Sequence, residues 1–358
     1  MSKWGRTMSS EDTPFGQCPL PISQVTEILM GHGSGGKLSA QLIENLIVPA
    51  FRNPELELLD DQAVVSLNGS RLAFTTDSYV VTPIFFPGGD IGELAVNGTV
   101  NDLAMGGAQP LYLSLAFILE EGLPIADLRR LVESAGRAAQ RAGVKIVTGD
   151  TKVVGKGSGD KVFINTSGIG LIPRGIELSS ARIGPGDAIL LSGTIGDHGI
   201  AILSQREGLE FEGELRSDTA PLHDLAAAAL RVCPQIHAMR DPTRGGLAAT
   251  LVEFAARRHL GIEVDETTIP LRDTVKGACE ILGLDPLLVA NEGKLVAFVP
   301  PEHGERVLEA MRAHPLGRDA ACIGRVTARH PGVVLVKTPV GGERVLDLPF
   351  AEALPRIC

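Results

Sequence analysis

Aromatic residues are scarce, 4% of 358 with a single tryptophan, so stacking platforms for single-stranded nucleic acid are not expected. An excess of positive charge is also missing. The formal net charge of -10 argues against a phosphate-backbone partner for the surface as a whole, while leaving room for a local basic pocket. No apolar run approaches the length of a membrane span, and residues 1–21 lack the apolar stretch of a secretory signal. The five cysteines (Cys18, Cys233, Cys279, Cys322 and Cys358) are odd in number and form no C-x-x-C. Together these absences point to a cytoplasmic protein with reduced thiols and no nucleic-acid or membrane partner.

What is present suits an α/β protein of two domains. A hydrophobic content of 44% over this length fills two medium cores, and 42 glycines with 23 prolines imply many turns and backbone-lined loops. Residues 1–24 are polar and turn-rich and read as a loose extension. The stretch Gly31-His32-Gly33-Ser34-Gly35-Gly36-Lys37 precedes a helical pattern from Leu38 to Ile47. A glycine loop before a helix offers main-chain N–H groups to an anion. It nearly spells a P-loop, but Leu38 stands where the magnesium-binding Ser or Thr belongs, which excludes that reading. Residues 58–76 read as a hairpin: Leu58-Leu59, Ala63 to Leu67, a turn at Asn68-Gly69, then Leu72 to Thr76. Asp90 is a good N-cap for a helix that runs to Met105 and stops at Gly106-Gly107. That helix carries Asn97 and Asn101 on one face. Strands at 111–119, 145–147 and 162–172 with a helix at 126–142 complete the first unit.

A second unit follows from about Ile183, with a glycine turn at 193–198, helices at 221–232, 246–259, 273–282 and 302–313, and strands between them. The expected division is 25–175, an N-terminal α/β domain; 176–347, a C-terminal α/β domain; and 348–358, a mobile tail. The chain finishes on Cys358, a thiol beside a free carboxylate. A thiol on a mobile tail can be carried into a pocket, modified and carried out; prenylation is excluded because that signal places the cysteine four from the end.

Carboxylates gather at element ends (Asp60, Asp61, Asp77, Asp102, Asp150, Asp241), glycine turns open helices, and Lys37 and Lys152 stand beside them. Each alone is an ordinary cap or turn residue. Together they suggest ATP and Mg²⁺ in a cleft, since magnesium uses one or two carboxylates plus substrate phosphates.

Over nearly all of the chain from about Ile28, the sequence resembles the HypE family of hydrogenase maturation factors, the carbamoyl dehydratases. The matching stretches are Gly31 to Lys37, Thr75 to Ser78, Phe85 to Ile91, Gly98 to Met105, Thr148 to Val154, Gly196 to Gly199, Arg240 to Leu247, Ala290 to Lys294 and Pro355 to Cys358. The resemblance implies the two-domain fold of aminoimidazole ribonucleotide synthetase, selenophosphate synthetase and thiamine-monophosphate kinase. In that fold the N-terminal domains pair across a homodimer to close a β-barrel. It also implies a reaction. A carbamoyltransferase, HypF, loads the terminal cysteine with a carbamoyl group; ATP-dependent loss of water gives a thiocyanate; the cyano group passes to iron on the HypC–HypD complex, for [NiFe] hydrogenase.

By this match Cys358 is the carrier nucleophile, Glu292 the preferred base, Lys152 the stabiliser of the transferring phosphoryl, and Asp102 a proton carrier or metal ligand. Asp61, Asp77, Asp102 and Asp241 are the expected magnesium ligands. Gly35, Gly36 and Lys37, with Asp61, Asp77, Asn101 and Asp150, are expected along the nucleotide. His198 reads as a helix-opening turn residue, because the reaction needs no histidine. The alternatives are a phosphotransferase of the same fold acting on a free small substrate, and a non-enzymatic carrier loaded by others.

Overall fold

A computed structural model of the chain describes residues 27–33, 35–209, 211, 213–349 and 357. The expected 1–24 extension lies outside these residues, as do Pro355, Arg356 and Cys358 of the tail. The N-terminal part opens with helices α1 (Lys37–Leu42) and α2 (Val48–Phe51), joined through a wider helical turn at Ile43–Ile47. Strands β1 (Ala63–Leu67), β2 (Ser70–Tyr79), β3 (Phe85–Phe86) and β4 (Gly89–Asp90) lead into helix α3 (Ile91–Met105). Then come β5 (Gln109–Glu120), α4 (Ile125–Arg141), β6 (Lys145–Thr148), β7 (Thr151–Val154) and β8 (Val162–Ile172).

The hairpin β1–β2 turns at Asn68-Gly69, both at positive φ, the backbone this tight turn requires. The expected strand at Leu58-Leu59 is instead a 3₁₀ turn ending in Leu59 at φ 49°. That conformation is held from the other domain: the carbonyl of Leu59 accepts from Arg240 Nη1 at 3.3 Å and from Arg257 Nη1 at 3.0 Å.

Helix α3 starts where Asp90 Oδ1 accepts from the N–H groups of Gly92 and Glu93. It is buried nearly all round, with Leu94, Val96, Val100 and Leu103 inaccessible, which explains its lack of a polar stripe. One side covers the six-stranded sheet, ordered β1-β2-β8-β5-β6 with β7 also pairing β5. The edge strand breaks between β6 and β7 at Gly149, where any Cβ would meet Leu115 O at 2.1 Å. The other face of this sheet stays apolar and uncovered: Phe74, Ile169 and Tyr112 stand in register across three strands, each at least 40% exposed.

The C-terminal part adds β9 (Ala188–Leu191), α5 (Asp197–Glu207), α6 (His223–Val232), β10 (Ala238–Arg240) and α7 (Gly246–Arg258). It continues with β11 (Gly261–Asp265), α8 (Asp273–Leu282), β12 (Val296–Val299), α9 (Gly304–Arg312), β13 (Ala321–Thr327), β14 (Val334–Lys337) and β15 (Glu343–Leu346). Its seven strands run β10-β12-β9-β13-β11-β14-β15. Residues of α3 and α6 belong to one continuous core, so the two halves share a buried seam. Among the described residues no helix is long and apolar enough to cross a membrane.

Candidate active site

The seam brings three carboxylates together from three places in the chain. Asp61 leads into β1, Asp102 lies on α3, and Asp241 follows β10; one oxygen from each lies within 4.8 Å of the others. Burial raises all three carboxyls: Asp61 stands well above the usual carboxylate range against the pull of Arg240, Asp102 likewise with the charges of Asp241, Asp77 and Asp61 adding to it, and Asp241 at about 6, with Arg240 opposing. Arg240 Nε pairs with Asp61 Oδ1 at 2.7 Å, tying the first sheet to the second domain. Thr75 Oγ1 donates to Asp102 Oδ2 at 2.9 Å. Buried carboxylate oxygens at this spacing fit a hard, oxygen-seeking divalent cation. Asp77, the fourth expected ligand, is outside this triad but faces it, since its charge raises both Asp102 and Asp241.

Glu292 is 2% exposed, and its Oε1 has no hydrogen-bond partner among the described residues. Burial first, then Asp241, Asp218 and Asp77, push its carboxyl well above the ordinary value. Its main chain is pinned on both sides: the N–H donates to Asp218 Oδ1 at 3.0 Å, and the carbonyl accepts from Asn101 Nδ2 at 3.2 Å. Asp218 is itself paired with Lys294 at 3.0 Å. Burial pushes Asp218 up, but Lys294 and the Glu292 N–H bring it below the usual range. Gly293 allows this approach, since a Cβ there would fall 1.7 Å from Asp218 O.

The other expected residues are distributed differently. Asn101 was expected along the nucleotide; its amide is instead committed to main chain, giving Nδ2 to Ala220 O and Glu292 O and taking the Leu222 N–H on Oδ1. Lys37 is paired with Asp347 at 2.6 Å, and its N–H donates to Pro349 O, so the glycine loop grips the root of the tail. Gly35 packs on the backbone of Arg244. Between this loop and Arg240 opens a cavity of about 270 Å³, with His32, Asp60 and Arg257 on its walls. Lys152 and Asp150 pair with each other at 2.7 Å in the open. Lys152 sits opposite Ile118 of β5, and three strand spacings of about 4.8 Å separate its strand from β2, which carries Asp77. Within one chain, therefore, Lys152 and Asp150 do not join the acidic cluster. Larger cavities, of about 580 Å³ over the C-terminal sheet near Cys322 and about 550 Å³ near Pro110 and Leu230, are lined by none of the clustered acids.

Sequence reasoning missed three groups here. Arg240 and Lys294 stood inside motifs that carry the resemblance, yet nothing marked their partners 179 and 76 residues away. His198, taken for a turn residue, is fully buried and bonded to the carbonyl of Ile357 at 2.7 Å.

Comparison with known proteins agrees with this architecture. Residues 59–172 match the N-terminal domain, and 184–337 the C-terminal domain, of the AIR synthase related proteins. Carbamoyl dehydratase HypE of Azotobacter vinelandii is 57% identical over 329 residues, covering 92% of this chain and 96% of that protein. A crystal structure of a HypE–HypF complex superposes with a TM-score of 0.82 at 48% identity, covering 86% of this chain and 99% of that one. HypE in complex with ATP superposes with a TM-score of 0.78 at 51% identity, covering 93% and 100%. At this identity over nearly the whole length, the chain belongs to the HypE family of carbamoyl dehydratases.

Proposed function

We propose that the seam dehydrates an S-carbamoyl group on Cys358 to a thiocyanate. An amide oxygen is a poor leaving group. Its attack on the γ-phosphorus of ATP releases ADP and turns it into a phosphate ester. The carbamoyl nitrogen gives up one proton as this ester forms. It gives up the second as the C–O bond breaks, leaving S–C≡N and inorganic phosphate. The observation that carries this reading is Glu292: a buried carboxylate with an oxygen unpartnered among the described residues and a raised pKa, fixed through its main chain and within reach of the charges of Asp241, Asp218 and Asp77. Desolvation strengthens this carboxylate as a base; it takes the first proton, returns it to the phosphate as the C–O bond breaks, and takes the second in exchange. Asp61, Asp102 and Asp241 would hold Mg²⁺, which when bound neutralises phosphate charge. Asp102 is thereby assigned to the cation, leaving the proton transfers to Glu292.

The cavity between the glycine loop and Arg240 is the proposed entry for the nucleotide. Lys152 is proposed to act on the site of a second subunit: it stands on the sheet whose apolar outer face, with Phe74, Tyr112 and Ile169, suits pairing with its own copy into a barrel. The solved HypE–HypF complex supports a HypF-type protein as the partner that supplies the carbamoyl group. The proposed cyanide acceptor is a HypC–HypD complex, as the family resemblance implies, and the proposed setting is the cytoplasm, where thiols stay reduced. A free small substrate would leave the seated Ile357 without a purpose.

The test is the mass of the C-terminal peptide after incubation with the carbamoyltransferase, then with ATP and Mg²⁺. The expected result is carbamoyl addition at Cys358 followed by ATP-dependent loss of one water. Carbamoylation without water loss makes the chain a carrier only, and no modification beside ATP turnover on a small molecule moves it to the phosphotransferases.

A further inference from the structure

The mechanism above uses neither the Phe85–Ile91 loop nor the Gly196–Gly199 turn, and both converge on His198. The ring of Phe86 stands edge-on to the imidazole, with centroids 5.5 Å apart. Ser217, held by its N–H on Pro87 O at 2.8 Å, places its hydroxyl 2.8 Å from His198 Nδ1. His198 Nε2 lies 2.7 Å from the carbonyl oxygen of Ile357. A carbonyl only accepts, so Nε2 carries the proton. In the neutral ring Nδ1 then accepts from the Ser217 hydroxyl, whose oxygen in turn accepts from the Thr219 N–H at 3.2 Å. The donors thus run in one direction, from Thr219 through Ser217 and His198 to the tail. Burial pushes the imidazole pKa down and keeps the ring neutral, against the opposite pull of Asp218 and of the Ile357 carbonyl. Ile357 also forms an antiparallel bridge with Val81, and its side chain is buried in the same core.

We infer that His198 is a positioning residue which seats the tail by the main chain of its penultimate residue, in the tautomer that Ser217 sets. This rests on the reading that Cys358 carries the reacting group. A main-chain seat fixes depth whatever the neighbouring side chain carries, and Cys358 is the next residue in the sequence. The next residue of the same loop, Asp218, holds the N–H of Glu292. Two adjacent residues therefore register the carrier and the base against each other: Ser217 through His198, and Asp218 directly.

The experiment uses the full-length protein and three variants: His198→Ala, His198→Gln and Ser217→Ala. The first readout is the rate at which iodoacetamide alkylates Cys358, followed on the C-terminal peptide so that the exposed Cys322 does not interfere. The second is single-turnover water loss from the carbamoylated tail at saturating ATP. His198→Ala is expected to alkylate about tenfold faster, a change worth about 1.4 kcal/mol, and to lose water more slowly by a similar factor, with ATP affinity unchanged. His198→Gln, whose amide N–H can donate from the same place, restores most of both rates, which a merely space-filling role would not do. An alkylation rate in folded His198→Ala equal to that of the parent overturns the inference, as does a Gln variant indistinguishable from Ala. Should His198→Ala not fold, Ser217→Ala decides by the same alkylation rate: faster supports the seat, unchanged overturns it. Alkylation needs neither carbamoyl group nor ATP, so absence of water loss in the parent protein would count against the proposed reaction and not against the seat.

Discussion

Two aspartate–lysine pairs of similar length occupy opposite settings. Lys294 and Asp218 meet at 3.0 Å with side chains 11% and 5% exposed; Lys152 and Asp150 meet at 2.7 Å with 69% and 63% exposed. The inner pair lies against the Glu292 main chain and helps hold it in place. The side chains of the outer pair fix nothing across the fold: among the described residues the carboxylate of Asp150 accepts from Lys152 and its own neighbour Thr151, and the lysine, with the Thr151 N–H, holds it below the usual range. The same two residue types thus serve as an internal strut in one place and as a group presented to the outside in the other. Distance alone does not separate them. Burial does, because a charge removed from water must keep its partner.

The largest effect expected from breaking this contrast is chemical. Glu292→Gln keeps the shape of the base and removes its proton affinity, so single-turnover water loss should fall by about 10²–10⁴-fold while carbamoylation of Cys358 persists. A loss of less than about tenfold would take the base role away from Glu292.

The next effect separates the two lysines. Lys294→Met strands Asp218 in the interior, and removing one partner of a buried pair costs about 3–5 kcal/mol, read as a lower urea midpoint. Lys152→Met should leave the midpoint where it is and still abolish water loss. If Lys152 serves a neighbouring subunit, mixing and re-equilibrating Lys152→Met with Glu292→Gln chains should return about a quarter of the parent activity, since half the dimers are then mixed and each holds one complete site. No recovery would place Lys152 with its own chain's Glu292, or outside the reaction.

The same contrast decides what the sequence could reveal. Local devices were legible: the Asp90 cap and Gly106 stop bracket α3, and Asn68-Gly69 marks the β1–β2 turn, because each acts within a few residues. The acids of the site could be named from the resemblance. Their company could not, because convergence is a property of packing: Arg240 reaches Asp61, and Asn101 reaches Leu222, across more than a hundred residues. Leu59 looked like strand because apolar character was visible and the two arginines drawing on its carbonyl were not. His198 looked like punctuation because its glycine neighbours were visible and its tail partner, 159 residues on, was not.

The smallest expected effect concerns the acidic triad. The folded pKa values of Asp61, Asp102 and Asp241 are raised above the unfolded value of about 3.9. The folded state therefore binds these protons more tightly than the unfolded chain does. Their contribution to stability is fully present below about pH 4 and is lost as pH rises through the folded values, that of Asp241 being about 6. A divalent cation competes with those protons, and it stabilises the folded chain in proportion to its own binding. Raising the pH from 5 to 8 without Mg²⁺ should lower the melting temperature. The gain on adding Mg²⁺ should grow over the same interval, at roughly 1–2 °C for each kcal/mol in a chain of 358 residues. Asp241→Asn should flatten that growth, because it removes both a ligand and a repelling charge, while an exposed control such as Asp150→Asn should not. A Mg²⁺ gain that is equal at both pH values would mean that the three carboxylates do not hold the cation. Their proximity would then be a device for raising the pKa of Glu292, whose carboxyl the charge of Asp241 already pushes upward.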